Sequence, residues 1–213
     1  ELQYYTERRP ENARVTDGRL VITARKEPWN GNDYTSARLV SRQDWTYGRF
    51  EVRAKLPSGR GTWPAIWMLP THDTYGDDYW PDNGEIDIME HVGFAPDTVH
   101  ATVHTEAYNH TKGTQRGSAV HVPDARTAFN TYAVEWTPDA IRAFVNDEPY
   151  FAFPNERRTD DQATYAEWPF DRPFHFVLNI AVGGSWGGAA GVDPDVWPQR
   201  LEIDYVRVYR RAE

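Results

Sequence analysis

The stretch Phe50-Glu51-Val52-Arg53-Ala54-Lys55-Leu56 alternates apolar and charged residues without a break. Successive side chains of a strand point to opposite faces, so this pattern reads as a β-strand with one face in a core and the other in water. Other stretches read the same way. Leu201 to Tyr209 is a strand near the C-terminus, and Val99 to Thr105 is short and β-rich. Phe174 to Val182 is nearly all apolar, which suits a strand covered on both faces. Tyr132 to Trp136 and Ile141 to Val145 flank Thr137-Pro138-Asp139-Ala140, a hairpin-like break. Asp17-Gly18, between Val15-Thr16 and Arg19 to Ile22, is a strong hairpin signal. No stretch of about a dozen residues carries helical periodicity, and one short helical turn is expected near Pro123 to Phe129. Many short strands with frequent turns predict an all-β sandwich of two antiparallel sheets. Four segments (29–34, 70–84, 108–117 and 154–172) carry no pattern. Long loops on a sandwich are usual places for function.

Composition narrows the chemistry. The 213 residues suffice for one domain with a sizeable core. With no cysteine there are no disulfides and no thiolate metal sites. The net charge of −9 argues against nucleic-acid backbones and anionic membranes as partners. No run of about 18 apolar residues suggests a transmembrane helix. No signal-peptide pattern is read in the sequence, which starts at Glu1 rather than Met, as a processed or trimmed chain would. Nine Trp and twelve Tyr exceed what a core of this size needs. Many stand beside Gly, Pro, Asp or Asn, where chains turn at the surface. Flat aromatics with carboxylate and amide groups match the apolar faces and hydroxyl edges of sugars.

The densest chemistry lies in Gly84-Glu85-Ile86-Asp87-Ile88-Met89-Glu90-His91. On a regular strand Glu85 and Asp87 share a face, while Glu90 falls among the isoleucines, where an unpaired carboxylate costs several kcal/mol. A β-bulge at Ile88-Met89 removes the conflict and returns Glu90 to the acidic face. The outer Cα atoms are then roughly 13 Å apart. Inward-leaning side chains could bring the two Glu carboxylates to about 5–6 Å, near the spacing of a retaining glycosidase. Crowding on a partly desolvated face should raise at least one pKa, as a general acid needs. Asp87, in the middle, can hold a proton or a hydrogen bond and orient the nucleophile. Three acids on a strand also fit a solvated face or a Ca²⁺ site, although calcium usually draws on a loop.

Glu85-Ile86-Asp87-Ile88-Met89-Glu90 resembles the Glu-x-Asp-x-x-Glu motif of glycoside hydrolase family 16, in the bulged form found in its laminarinases, agarases and carrageenases. Glu1 to Thr6, Gly61 to Met68, Tyr79-Trp80-Pro81, His104 to His110 and Asn179 to Gly184 are similar to bacterial laminarinase segments, so the resemblance covers nearly the whole chain. It implies a concanavalin-like jelly roll of two curved antiparallel sheets with a concave substrate cleft. It implies a retaining endo-β-1,3-glucanase acting on laminarin-type glucans, with mixed-linkage β-1,3-1,4-glucan as a second substrate. Glu85 would be the nucleophile, Glu90 the acid/base and Asp87 their support. A non-catalytic β-glucan-binding module, or a hydrolase for agarose or carrageenan, are the competing readings.

The resemblance also implies sugar contacts from Trp80, Trp63, Trp186, Arg38 and Asn12, with Trp67 equally readable as core. His104 is expected on a neighbouring strand, within reach of Glu90 or the acceptor sugar. Family members carry a strand of Trp-x-Asp-Glu-Phe type upstream of Glu1-Leu2-Gln3-Tyr4-Tyr5, and this sequence has none. Residues 1–213 are therefore expected to form one catalytic domain lacking the usual first strand, with a sheet edge left to cover. Relatives hold a structural Ca²⁺ near that strand together with an Asp of the last strand, here Asp204. Without the strand one ligand is gone, and the resemblance implies a calcium site that this sequence leaves incomplete. Catalysis itself should require no cofactor. The expected partner is a β-1,3-glucan polysaccharide, bound by a monomer that is secreted to the cell exterior or periplasm.

Overall fold

Two twisted sheets face each other across a single layer of apolar side chains in the computed structural model, which describes residues 1–210. The larger sheet has nine strands in the order β1 (Gln3–Tyr5), β4 (Asn32–Ser36), β3 (Arg19–Trp29), β15 (Gln199–Tyr209), β6 (Gly48–Lys55), β11 (Asn130–Trp136), β12 (Ala140–Val145) and β13 (Glu148–Pro154), with β2 (Ala13–Thr16) pairing alongside β3. The smaller sheet has six, in the order β10 (Arg116–His121), β9 (Thr98–His104), β8 (Glu85–Glu90), β7 (Thr62–Pro70), β14 (Phe174–Val182) and β5 (Arg38–Trp45). All pairings are antiparallel except β1 with β4. The jelly-roll sandwich expected from the sequence is the one observed.

Alternation in β6 does what the sequence implies. Phe50, Val52 and Ala54 are fully buried, while Arg49, Glu51, Arg53 and Lys55 face outward. The Phe50 ring lies 5.8 Å from Phe176 of the opposite sheet, and Trp136 lies 5.2 Å from Phe174. These edge-on aromatic pairs clamp the two sheets together at their centre. The apolar run of β14 is buried almost throughout, because one face meets this core and the other forms the floor of a cleft.

Turn chemistry explains several connections. Asp17 and Gly18 both have positive φ, as a tight two-residue hairpin between β2 and β3 requires. The same device recurs at Asn30-Gly31 and Asn146-Asp147, where the sequence pattern was not read as a hairpin. Strand β10 also falls partly in a stretch read as patternless. The helical turn expected near Pro123 to Phe129 is a single hydrogen-bonded turn, the Ala128 amide donating to the Asp124 carbonyl at 2.8 Å, and it extends into no helix. Short helical pieces lie elsewhere, at α1 (Tyr79–Asp82), which is interrupted by an extended Trp80, and at a 3-10 turn over Glu156–Arg158.

Among the described residues, β15 pairs beyond Ile203 with β6 alone, which leaves Tyr205 to Tyr209 one open side. Val206 there is 41% exposed, an apolar edge of the kind a further strand would cover.

Ile86, Ile88 and Met89 of β8 sit at the centre of the core. Ile88→Ala is expected to lower stability by about 2–5 kcal/mol, from lost transfer energy and the cavity left behind. A denaturant midpoint equal to the parent's would show that this side chain is not packed as described.

Candidate active site

β8 presents apolar side chains to the core and acids to the cleft. Asp87 and Met89 pair with consecutive residues, Trp67 and Ile66, of β7, so Ile88 is extra in that ladder. On the other side Asp87 pairs with Thr102 and Glu90 with His100, so Ile88 and Met89 together oppose Ala101. This is the expected bulge at Ile88-Met89. It buries both residues completely and turns Glu90 back to the face of Glu85 and Asp87. All three carboxyl groups line one cleft of ≈ 460 Å³.

The neighbouring strands supply the walls. β9 buries Val99, Ala101 and Val103, so His100, Thr102 and His104 alternate into the cleft. His104 Nε2 lies 3.4 Å from Asp87 Oδ2 and 3.9 Å from Glu85 Oε1. On β7, Trp63 and Trp67 point to the cleft. Trp63 Nε1 donates to Glu90 Oε1 at 2.9 Å, and Trp67 Nε1 donates to Asn179 Oδ1 at 2.7 Å. Asn179, the one polar residue of β14 apart from His175, donates in turn to the Tyr5 hydroxyl. Trp186 hangs from the loop after β14, its ring edge-on to Trp63 at 5.6 Å.

Two loops hold aromatic side chains at the Glu85 end. Asn83 is buried, accepts from the Thr74 and Tyr75 amides at 2.7 Å each, and donates to Asp73 and the Tyr75 carbonyl. Asp82 accepts from the Asp77 and Asp78 amides. Together they fix the turn that carries Trp80. Asn109, fully buried, donates to the Thr105 and Glu106 carbonyls and accepts from Thr111 and the Lys112 amide. It fixes the turn that carries His110. The Trp80 ring then lies 5.0 Å from His110 and 5.9 Å from His104.

Burial governs the electrostatics. It pushes the Glu85 and Asp87 carboxyls well above the usual carboxylate range; repulsion from Asp87 and Glu90 adds to the rise at Glu85, and repulsion from Glu90 to that at Asp87. Glu85 and Asp87 are neighbouring buried carboxyls whose ionisations oppose each other, so the pair can share one proton and keep a single negative charge. Burial also raises Glu90, opposed by the Trp63 indole N–H and by His104. One atom each of Glu85, Asp87 and His104 lie within 4.8 Å of one another, the sole group of potential metal-ligating atoms found among the described residues. Two of those three are carboxyls that burial pushes toward the protonated form, which is a poor metal ligand.

The cleft gathers Trp63, Trp186 and His104 beside the acids, and Trp80 stands in an adjoining apolar hollow. His104 sits against Asp87 and Glu85 rather than Glu90, because the antiparallel register pairs it with Glu85. Trp67 belongs to the cleft and not to the core, since it follows Trp63 by four on an alternating strand. Arg38 is exposed and lies over the Trp67 ring at 4.8 Å, at the cleft margin. Asn12 does not reach the cleft. It is fully buried, accepts from Thr6 and Arg9, and donates to Thr35 and the Thr23 carbonyl. Asp204 accepts from Arg53 at 2.5 Å. That ion pair engages its carboxylate, and Asp204 lies outside the one side-chain group of potential metal ligands found among the described residues. Sequence reading missed His100, His110 and Asn179. The period-two relation of His100 to His104 and the lone Asn of an apolar strand were the available signals.

Comparison with known proteins agrees with this geometry. Residues 1–207 match the family model described as glycosyl hydrolases family 16. A β-glucanase of Rhodothermus marinus is 67% identical over 215 residues, covering 100% of this chain and 75% of the relative. The crystallographic laminarinase from Rhodothermus marinus superposes with a TM-score of 0.99 at 66% identity, covering 100% of this chain and 86% of that one. A non-specific endo-β-1,3(4)-glucanase superposes with a TM-score of 0.92 at 45% identity, covering 99% and 82%.

The raised carboxyls carry a stability cost whose sign follows from proton linkage. Above the ordinary carboxylate pKa of about 4.3, the unfolded chain has released these protons while the folded chain still holds them. Stability therefore falls as pH rises from that value to the raised pKa. Glu85→Gln removes the cost, so its melting temperature should exceed the parent's at pH 7, by a margin that shrinks toward pH 4. A margin that grows on acidification would contradict the assignment.

Proposed function

Because this chain belongs to family 16 of the glycosyl hydrolases, we propose that it cleaves β-1,3-glucan by double displacement with retention of anomeric configuration. The enzyme is a glycoside hydrolase, an endo-β-1,3-glucanase of the laminarinase type. The observation that carries the mechanism is the phase break in β8, which sets Glu85, Asp87 and Glu90 on one cleft face.

Glu85, at the start of the strand, attacks the anomeric carbon as its glycosidic C–O bond breaks. Glu90 gives its proton to the departing oxygen. The proton shared by Asp87 and Glu85 passes to Asp87 at this point, which leaves Glu85 free as the nucleophile. In the second half, Glu90 takes a proton from water, and that water displaces Glu85 from the sugar. Glu90 is then restored to its acid form. The Trp63 indole N–H supports Glu90 while it is ionised between the two steps. Trp63, Trp67 and Trp186 offer flat faces and edges for sugar rings, and Asn179 is held in place below them by Tyr5.

Among the described residues the cleft lining contains no Lys or Arg, and Arg38 stands at its margin over Trp67. A neutral glucan suits such a surface better than a sulfated galactan, whose charges would go unpaired. Activity on mixed-linkage glucan is supported by the likeness to a non-specific endo-β-1,3(4)-glucanase. A polymeric substrate that does not cross membranes supports a location outside the cell or in the periplasm. No step needs a metal or other cofactor.

Glu85→Gln and Glu90→Gln should each lower laminarin hydrolysis by about 10²-fold or more with the fold intact. Proton NMR of the first products, in excess chelator, should show the β-anomer before mutarotation. Full activity in either variant, a first-formed α-anomer, or loss of activity on chelation would refute the corresponding part of the mechanism. Against a panel of laminarin, lichenan, agarose and carrageenan, the rate should be highest on laminarin, lower on lichenan and negligible on carrageenan. Comparable carrageenan cleavage would overturn the reading of the cleft as a site for neutral glucan.

A further inference from the structure

The cleft wall beside Glu90 holds a residue that the mechanism does not use. His100 stands directly opposite Glu90 in the β8–β9 register and faces the cleft. Its imidazole meets the Trp186 ring edge-on at 4.9 Å. Trp186 meets Trp63 edge-on at 5.6 Å, and Trp63 Nε1 donates to Glu90 at 2.9 Å. The four side chains form a circuit that begins and ends on one rung of the sheet.

The loop bearing Trp186 is also seated on Trp63. A Cβ on Gly187 would come within 2.7 Å of Trp63 Cβ, and one on Gly184 within 3.4 Å of its Cζ3. At Gly187 any side chain would collide with Trp63 Cβ, whereas the Gly184 distance is ordinary contact. The loop's backbone is held by internal hydrogen bonds, Gly188 to Gly184 and Ala189 to Trp186, and by bonds to the turn before β7, from Gly183 to the Gly61 carbonyl and from Arg60 to the Ala190 carbonyl; none of these touches the Trp186 ring. Across the cleft, the Trp186 ring is braced by His100.

We propose that His100 is a positioning residue for the acid/base, an inference that rests on the role of Glu90 given above. It holds Trp186, Trp186 and its loop hold the Trp63 indole, and the indole N–H is thereby kept on Glu90. An N–H donor favours the ionised carboxylate. Without the brace, Glu90 would keep its proton to higher pH. The other groups that act on Glu90 are Glu85 and Asp87 from its own strand, His104 from β9, and the Tyr150 hydroxyl from the larger sheet. Burial holds the His100 imidazole toward its neutral form, so it braces by shape rather than charge.

The test is the pH profile of kcat/KM on laminarin for the parent, His100→Ala, His100→Phe, Trp63→Phe and the double variant His100→Ala/Trp63→Phe. His100→Ala should move the alkaline limb upward by about half a pH unit, the share of one hydrogen bond. His100→Phe, which keeps a ring edge against Trp186, should restore the parent limb. Trp63→Phe should move the limb in the same direction, and the double variant should move it no further. An unmoved limb in His100→Ala, a His100→Phe that shifts as alanine does, or an additive double variant would overturn the proposal. Should His100→Ala not fold, Trp63→Phe and His100→Phe decide it, because an unmoved limb in the first or a moved limb in the second is equally fatal. Failure of the brace alone leaves Glu90→Gln inactive, whereas full activity in that variant removes the acid/base role itself.

Discussion

One strand has to serve two media at once. β8 must hide Ile86, Ile88 and Met89 from water while keeping Glu85, Asp87 and Glu90 in a cleft. A period-two strand of this sequence cannot do both, since an unpaired carboxylate in the core costs several kcal/mol. The bulge resolves this with a single extra residue. A shorter strand with one apolar residue fewer would also bring three acids to one face, but the core would lose a fully buried side chain. Everything else in the site is registered to this choice. His104 faces Glu85 and His100 faces Glu90 because β9 pairs on either side of the bulge. β7 brings Trp63 and Trp67 up on the other flank.

Burial then converts placement into reactivity. The cleft floor is dry enough to push all three carboxyls upward, and the structure counters this selectively. An indole N–H reaches Glu90, and an imidazole approaches the Glu85–Asp87 pair. One proton is thus kept on a pair that needs to present one charge, and another on a group that must donate it. The site is less stable than a neutral one would be, as expected where function requires groups the fold would rather not bury.

Much of this was legible in the sequence. The alternation of β6, the hairpin at Asp17-Gly18 and the phase conflict at Ile88-Met89 are local patterns with one physical solution, and the structure adopts it. What was hidden depends on contacts between distant residues. Asn12 reads as a turn residue that could meet a sugar, but Thr6, Arg9, Thr23 and Thr35 converge on it and use all its hydrogen-bonding capacity. His104 had to be near an acid, yet which acid depended on a strand register that no single segment encodes. His110 and Trp80 lie in stretches without periodicity. Their placement is set by Asn109 and Asn83, whose side chains act as small hubs.

Those hubs separate two kinds of sequence freedom. Each of the two loops at the Glu85 end is organised internally by one buried asparagine, and each is tied to the segment 154–172 by a tyrosine hydroxyl, Tyr75 to Asp171 and Tyr108 to Glu156. The intervening positions are therefore free to vary without disturbing the ladder that carries the acids. Recognition of one glycan or another can drift in these loops while the chemistry stays fixed in the sheet. A single jelly roll can in this way be reused across polysaccharides, with each loop built around its own buried amide.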